Sequence, residues 1–354
     1  SLNVKNTDIA VKGVSFILLS DSQNVIIFPH RGSDVTLNEK RDFEFTGKIK
    51  AGFLELFGNG FNFNYDNFLL HLQHVDSFRI MVPTDEYDEK NNQIIRPVET
   101  LIENMTADLL IDYQQNKSGL RKQIFHQYPI LKSLDYSFAY YDRRGKFRKK
   151  YPRKNFYFRL DTFELDSLNN LDPQGVAFEG TLFSADIFPE FKDTLRIQED
   201  FSLGFITTTP EEGLSAYGGK GKYFDTLDLS NQGFRGRGTI EYIASTTKSM
   251  DIYFFPDSMT ATANYFNIDK GTVDGGASFP QVKSDSVFIE WKPYKDSMYV
   301  TSLGNPFTLY DSMATMKGRI VVTPWGLFGI GKVEVENGIL SSSSFKFNEN
   351  DFPS

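Results

Sequence analysis

The chain has 354 residues, 24 % of them charged and 15 % aromatic, with a net charge of −8 and no cysteine. Without thiols there are no disulfides, thiolate metal centres, iron–sulfur clusters or cysteine nucleophiles, and an excess of 46 Asp and Glu over 38 Lys and Arg argues against a dedicated nucleic-acid binder. A chain this long can bury roughly three quarters of its unfolded surface without a metal or disulfide staple, and its 34 Phe and 17 Tyr suit the half-buried, pleated surface of a sheet.

The first forty residues read as short strands, "VSFILLS" and "NVIIFP", separated by Asp, Ser and Asn turns. From Asp42 to Val82 apolar residues alternate, as in Phe43, Phe45, Phe61, Phe63 and Tyr65, the period of strands with one covered face. Residues 83–133 change character. After the turn-rich "PTDEYDEKNNQIIRP", the residues Val98, Leu101, Ile102, Met105, Leu109 and Ile111 fall near helical spacing. Pro97 sits where a first-turn proline belongs, and Glu99 and Glu103 suit a helix N-terminus. This spacing predicts a helix, with a second short one within "GLRKQIFHQYPILKSL". Strands return at Leu134, where "LDYSFAYYDRRGKFRKKYPRKNFYFRL" reads as a long hairpin with Asp142 to Gly145 at its tip. Short alternating segments then run to the end. The expected organisation is a β region over 1–96, a helical insertion over 97–133, a β-hairpin region over 134–203 and a β-repeat region over 204–354. No apolar run approaches the ~18 residues of a membrane helix. The chain begins at Ser1 and breaks off within a recurring pattern, as expected of a mature protein or a piece of a larger one whose targeting signal has been removed.

Two phrases recur. Gly-x-Gly followed by alternation appears in "FGNGFNF" at Phe57, "RGRGTIEY" at Arg235 and "FGIGKVEV" at Phe328, each soon after another glycine-bearing strand. Asp193-Thr194-Leu195, Asp257-Ser258-Met259, Asp296-Ser297-Met298 and Asp311-Ser312-Met313 each precede alternating residues. Asp and Ser start turns by bonding their own backbone, so the Met or Leu becomes the first inward residue of the next strand. Paired glycines permit φ > 0, a bulge or a sharp bend. The repeats therefore predict a phenylalanine-lined sheet that bends back on itself.

Chemical motifs are sparse. No Gly-x-Gly extends to GxGxxG, and no phosphate loop, HExxH or GxSxG occurs. His71 and His74, three apart in a strand, are expected on opposite faces. Asp269 and Asp274 lie among glycines and read as a turn, not a calcium loop. Trp291 and Trp325 are candidates for sugar stacking, but their places within repeat phrases favour the core. The sharpest feature is basic: Arg143, Arg144, Lys146, Arg148, Lys149, Lys150, Arg153 and Lys154 crowd the hairpin tip around Phe147 and Tyr151. Such a finger suits an anionic polymer, such as a lipopolysaccharide core, an acidic glycan or nucleic acid; the plainer alternatives are a solvated hairpin protected from edge pairing or a contact with an acidic part of the same protein. No cofactor or metal is expected.

The stretch "DSMATMKGRIVVTPWGLFGIGKVEVENGILSSSSFKFNENDF", with residues 46–68 and 204–352, resembles large exported β-repeat proteins of Bacteroidota-type bacteria and OstA/LptA/AsmA-like proteins, whose glycine-punctuated strands stack into grooves. The resemblance implies an exported protein of the periplasm, outer membrane or cell surface, and partners among lipid or glycan chains, envelope proteins or other segments of a larger parent. The expectation is thus a mainly β protein of short antiparallel strands in curled sheets, a sandwich or a stacked groove, with one small helical insertion. It would be non-enzymatic, a scaffold or a binder of an extended ligand. The alternative is a carbohydrate-active module, a sugar-binding domain or a glycoside hydrolase.

Overall fold

A computed structural model describes residues 8–350 apart from 31–34, 39, 144 and 148. It is mainly β, with short 3-10 turns and no α-helix among the described residues. The chain divides into two compact units. Unit 1 comprises Ser1–Arg144, Phe156–Leu182 and Phe191–Gly204; unit 2 comprises Gly145–Asn155, Phe183–Glu190 and Phe205–Ser354.

Unit 1 is an antiparallel meander. Its principal strands are β1 (Val25–Pro29), β2 (Phe43–Ala51), β3 (Leu54–Asn64), β4 (Leu69–Tyr87), β5 (Ile102–Leu110), β6 (Ile130–Ser133), β7 (Ser137–Ala139), β8 (Phe156–Leu160) and β9 (Glu164–Leu165). Each of β1 to β4 pairs with the strand that follows it here, and β5 pairs with both β6 and β7. Phe43, Phe45, Phe61 and Phe63 alternate inward and are buried. Phe43 packs on Phe63 at 4.9 Å between ring centroids, and Phe45 on Phe61 at 5.4 Å.

The predicted helix is a strand instead. From Met105 onward β5 buries Met105, Ala107 and Leu109, with Ile111 just beyond it, at period two. Asn104, with φ +58°, breaks the phase, so that Ile102 and Met105 are both buried three residues apart. That local left-handed residue produced a helical spacing out of two strand segments. The second predicted helix is also absent, since turns over residues 120–127 lead directly into β6. A bulge likewise corrects the histidines. Gln73 and His74 together stand opposite the single residue Thr106, and His71 and His74 are both exposed on one face.

In unit 2 the strands are β10 (Gly221–Ser230), β11 (Gly233–Tyr242), β12 (Ser245–Phe255), β13 (Ser258–Ala263), β14 (Tyr265–Ile268), β15 (Val282–Ser284), β16 (Val287–Lys292), β17 (Ser297–Ser302), β18 (Phe307–Leu309), β19 (Ala314–Thr323), β20 (Gly326–Val335) and β21 (Gly338–Phe347). Ladders run from β12 through β13, β16, β17, β19, β18, β15 and β14 back to β12, a closed, barrel-like ring of eight strands. Outside it, β11 pairs with β12 and β20 with β19.

The register explains the ring. Asp251 pairs with Thr262 and Lys248 with Tyr265 on one continuous count, so β13 and β14 are halves of one strand interrupted at Asn264. The same holds for β15 and β16, which meet β13 and β14 on one count and are interrupted around Asp285. A wider interruption at residues 303–306 separates β17 from β18. On one side of this line of breaks Phe254, Met259, Trp291, Met298 and Val322 form a buried cross-strand row. Ser245 lies at the opposite end of β12, roughly 30 Å away along a strand rising about 3.3 Å per residue. Nevertheless its Oγ is 3.7 Å from the sulfur of Met298, and the Tyr242 ring is 5.0 Å from Trp291. The sheet therefore folds back across the breaks, and the two halves bury their aromatic faces against each other.

The Gly-x-Gly phrases stand on that bend. Gly318 pairs with Gly331, and in unit 1 Gly47 pairs with Gly58. A Cβ on Gly318 would lie 2.2 Å from the Ile330 carbonyl oxygen, and one on Gly58 2.0 Å from that of His74. Registers shift beside Gly47, Gly58, Gly236 and Gly329. The Asp-Ser-Met phrases divide. Ser258 and Ser297 open strands after turns, and Met259 and Met298 are buried. Asp311 to Met313 form a turn, but Met313 is exposed. Asp193-Thr194-Leu195 lies within the strand Phe191–Ile197, where the Asp193 carboxylate accepts from the adjacent Thr194 N–H without turning the chain.

Candidate functional site

Two surfaces of unit 2 carry concentrated chemistry. The first is the basic segment. β7 and β8 pair as the predicted hairpin, but their connection is a long irregular loop instead of a tip at 142–145. Its residues Gly145–Asn155 belong to unit 2. Phe147 packs against Tyr253 and Phe255, each at 5.0 Å between centroids. Tyr151 is buried, donates to the Phe254 carbonyl at 3.0 Å and accepts from the Phe234 N–H at 2.9 Å. Burial raises its hydroxyl pKa well above the usual tyrosine range. The two aromatic residues thus pin the loop while the lysines stay in water. Lys146, Lys149, Lys150 and Lys154 are exposed, and Lys146 lies 5.0 Å from the Phe147 ring centroid. Arg153 is half-buried. Arg143, in unit 1, pairs at 3.1 Å with the buried Glu103 carboxylate and so serves that unit's own electrostatics. Arg144 and Arg148 lie outside the described residues.

The second surface was not foreseen. Where the strands of unit 2 break, their outer face opens into clefts. One, of about 400 Å³, is lined by Asn264, Tyr265, Lys283, Asp285, Asn305 and Pro306, among others. The Asn305 amide donates to both carboxylate oxygens of Asp285, at 3.0 and 3.2 Å. Tyr265 is 42 % exposed, and the Lys248 ammonium lies 5.2 Å from its ring centroid. A second cleft, of about 520 Å³, is lined by Ile206, Asp225, Thr226, Arg237 and Met250, with two threonines. Asp225 has φ +92° and pairs with Gly238, so this opening also sits on the bend. Both face outward, because Lys248 and Met250 are the exposed residues on either side of buried Ser249. The signal for these openings was present as polar and turn-forming residues inside strand-like runs, "TANYF", "KSDSVF" and "LGNPF".

The tryptophans separate. Trp291 is fully buried, whereas Trp325, at the β19–β20 turn, is 67 % exposed. Gly271–Thr272 and Ser278–Phe279 pair as a small hairpin with Asp274 in its turn, and Asp269, just before it, accepts from the Asn267 amide at 2.8 Å. Among the described residues no three His, Asp or Glu side chains gather as a metal set would. No family model, curated protein or solved structure matches the chain.

Proposed function

We propose that the chain is a non-catalytic β-scaffold from an exported cell-envelope or surface protein, which binds an extended ligand or partner on the outside of its sheets. The observation that carries this reading is the filled interior. The inward rows of both units are packed with Phe, Tyr, Trp, Leu and Met side chains in mutual contact, Phe45 on Phe61 and Trp291 on Tyr242 among them. A lipid or chain carrier requires an open apolar groove along such rows, and close-packed interiors leave no room for an acyl chain. Exposed polar and basic surface is what remains for recognition. The pinned loop fits an acidic glycan, because its lysines add up in the field felt by a polyanion.

The test is charge reversal of Lys146, Lys149, Lys150 and Lys154 to Glu, with retention of an acidic polysaccharide measured over a salt series. Wild type is expected to bind, more weakly as salt rises, and the variant to lose binding at unchanged melting temperature. Equal binding by both removes the loop from the reading. Native mass spectrometry of the purified chain checks the filled core: an acyl chain retained stoichiometrically would overturn it.

A further inference from the structure

We infer that the line of outward clefts along the bend of unit 2 is a binding site for a neutral oligosaccharide laid across the strands. The inference deepens the outer-face reading above and rests on it, but it does not depend on the basic loop.

Continuity is the first argument. Arg237 on β11, Met250 on β12, Asn264 between β13 and β14, Asp285 between β15 and β16, and Asn305 between β17 and β18 occupy five successive positions across the sheet. Neighbouring strands are about 4.8 Å apart, so the line extends on the order of 20 Å. That is enough for a few sugar units. The clefts adjoin: Met250 lines one, and Lys248, two residues earlier, contacts the Tyr265 ring that lines the other.

Chemistry is the second argument. A pyranose presents an apolar C–H face and a belt of hydroxyls that both donate and accept. Tyr265 supplies an exposed ring. Lys248 contacts that ring but does not line the cleft. Asp285 and Asn305 hold each other through the amide N–H contacts and so are pre-organised. The carboxylate retains further acceptor sites and the amide oxygen stays available for a hydroxyl. Charge then selects the class of ligand. Asp285 and Lys283 line one cleft together, and Asp225 and Arg237 the other, so neither sign dominates and a polyanion gains nothing here.

The experiment titrates the full chain with cellotetraose, laminaritetraose, maltotetraose and mannotetraose by calorimetry. The variants are Tyr265→Ala, Tyr265→Phe, Asn305→Ala and the four-lysine reversal. At least one tetrasaccharide is expected to bind. Tyr265→Ala and Asn305→Ala should each weaken it about tenfold or more, a loss of one hydrogen-bonded or stacked contact. Tyr265→Phe and the lysine reversal should bind as wild type, and salt should have little effect. Binding of none of the four, or binding that Tyr265→Ala and Asn305→Ala leave unchanged, overturns the inference. If acidic polysaccharide still binds through the lysines in that case, the outer-face reading survives without this site; if neither class binds, both fall. The altered side chains are exposed, and matching melting curves verify that each variant is folded.

Discussion

The two units bend their sheets with the same device and reach different surfaces. In unit 1 the central strands β2 to β5 pass the bend unbroken, by bulges, although the flanking β6 and β7 are separate strands on the β5 edge: β4 runs nineteen residues through it, and Gly47 faces Gly58 across the β2–β3 ladder. In unit 2 Gly318 faces Gly331 in the same way, but three neighbouring strands break altogether at the bend. A bulge adds one residue and restores the ladder within a step, so β4 and β5 stay paired beside it and set His71 against Asp108 at 2.6 Å. An interruption leaves a gap in consecutive strands, and gaps in register open a cleft. A bend alone leaves the ladder intact; a cleft appears where part of the ladder is missing.

Alkali should separate the units most strongly. Burial raises the pKa of Tyr151, Tyr217, Tyr223 and Tyr242 in unit 2, the last to about 12, and that of Tyr294 to a lesser depth of burial. Unit 1 has Tyr141 and the more exposed Tyr128. Below a pH of about 10 folded and unfolded states hold the same phenolic protons, so these groups add no pH dependence. Above it the unfolded chain ionises while the folded chain does not, and stability falls by about 1.4 kcal/mol per pH unit for each buried tyrosine until its folded pKa is reached, with the exposed Tyr294 and the half-buried Tyr128 adding less because water screens them. Unit 2, with more of them, should unfold first. Both tryptophans lie in unit 2, so their fluorescence should change at lower pH than the circular dichroism of the whole chain. Coincident transitions would break the comparison.

Next in size is the buried row itself. Trp291→Ala removes the ring that meets Tyr217 and Tyr242, each at 5.0 Å, and should cost about 3–5 kcal/mol in denaturant unfolding. A loss under 1 kcal/mol would mean that the two halves of the unit 2 sheet are not packed on each other. Somewhat smaller is the cost at the paired glycines. Gly318→Ala and Gly47→Ala each place a methyl 2.2 Å from a carbonyl oxygen, at φ +140° and +154°, and each should destabilise by about 3 kcal/mol. Gly60→Ala in unit 1, at φ +64° with no atom nearer than 3.5 Å, should cost only about 1 kcal/mol. Equal effects at Gly47 and Gly60 would show that close approach of the backbones is not what the paired glycines provide.

These glycines were legible in the sequence because only glycine answers that geometry, and the alternation around them carries the strand period. The glycine bends, the inward Phe residues and the short antiparallel strands all followed from that local logic. What misled was phase. Asn104 shifts the burial phase of its strand through a left-handed backbone, and the Gln73–His74 bulge inserts one residue; the first imitates a helix and the second turns two histidines to one face. Single-residue slips invert every side chain beyond them, and no propensity marks them. The basic loop was visible as charge, but its anchoring by Phe147 and Tyr151 depends on Tyr253, Phe254 and Phe255, a hundred residues further along. The clefts were hidden for a similar reason. Asn264, Asp285 and Asn305 read singly as turn residues, and only the shared register of three strands sets them side by side.

The smallest effect expected is at the second tryptophan, and it is informative for being small. Trp325 and Trp291 both occupy repeat phrases, so a reading from pattern alone treats them alike. Burial treats them oppositely: Trp325 stands at a hairpin turn with 67 % of its surface in water, its N–H accepted by the Thr323 hydroxyl through the backbone at 3.2 Å. Its ring removes little apolar area from solvent on folding, and the hydrogen bond made by its backbone survives substitution. Trp325→Ala should therefore change unfolding free energy by no more than about 0.5 kcal/mol, while abolishing the exposed component of tryptophan emission. Should it destabilise as much as Trp291→Ala, the β19–β20 turn must be covered in the native protein, and the outer surface of unit 2 would be smaller than its isolated strands display.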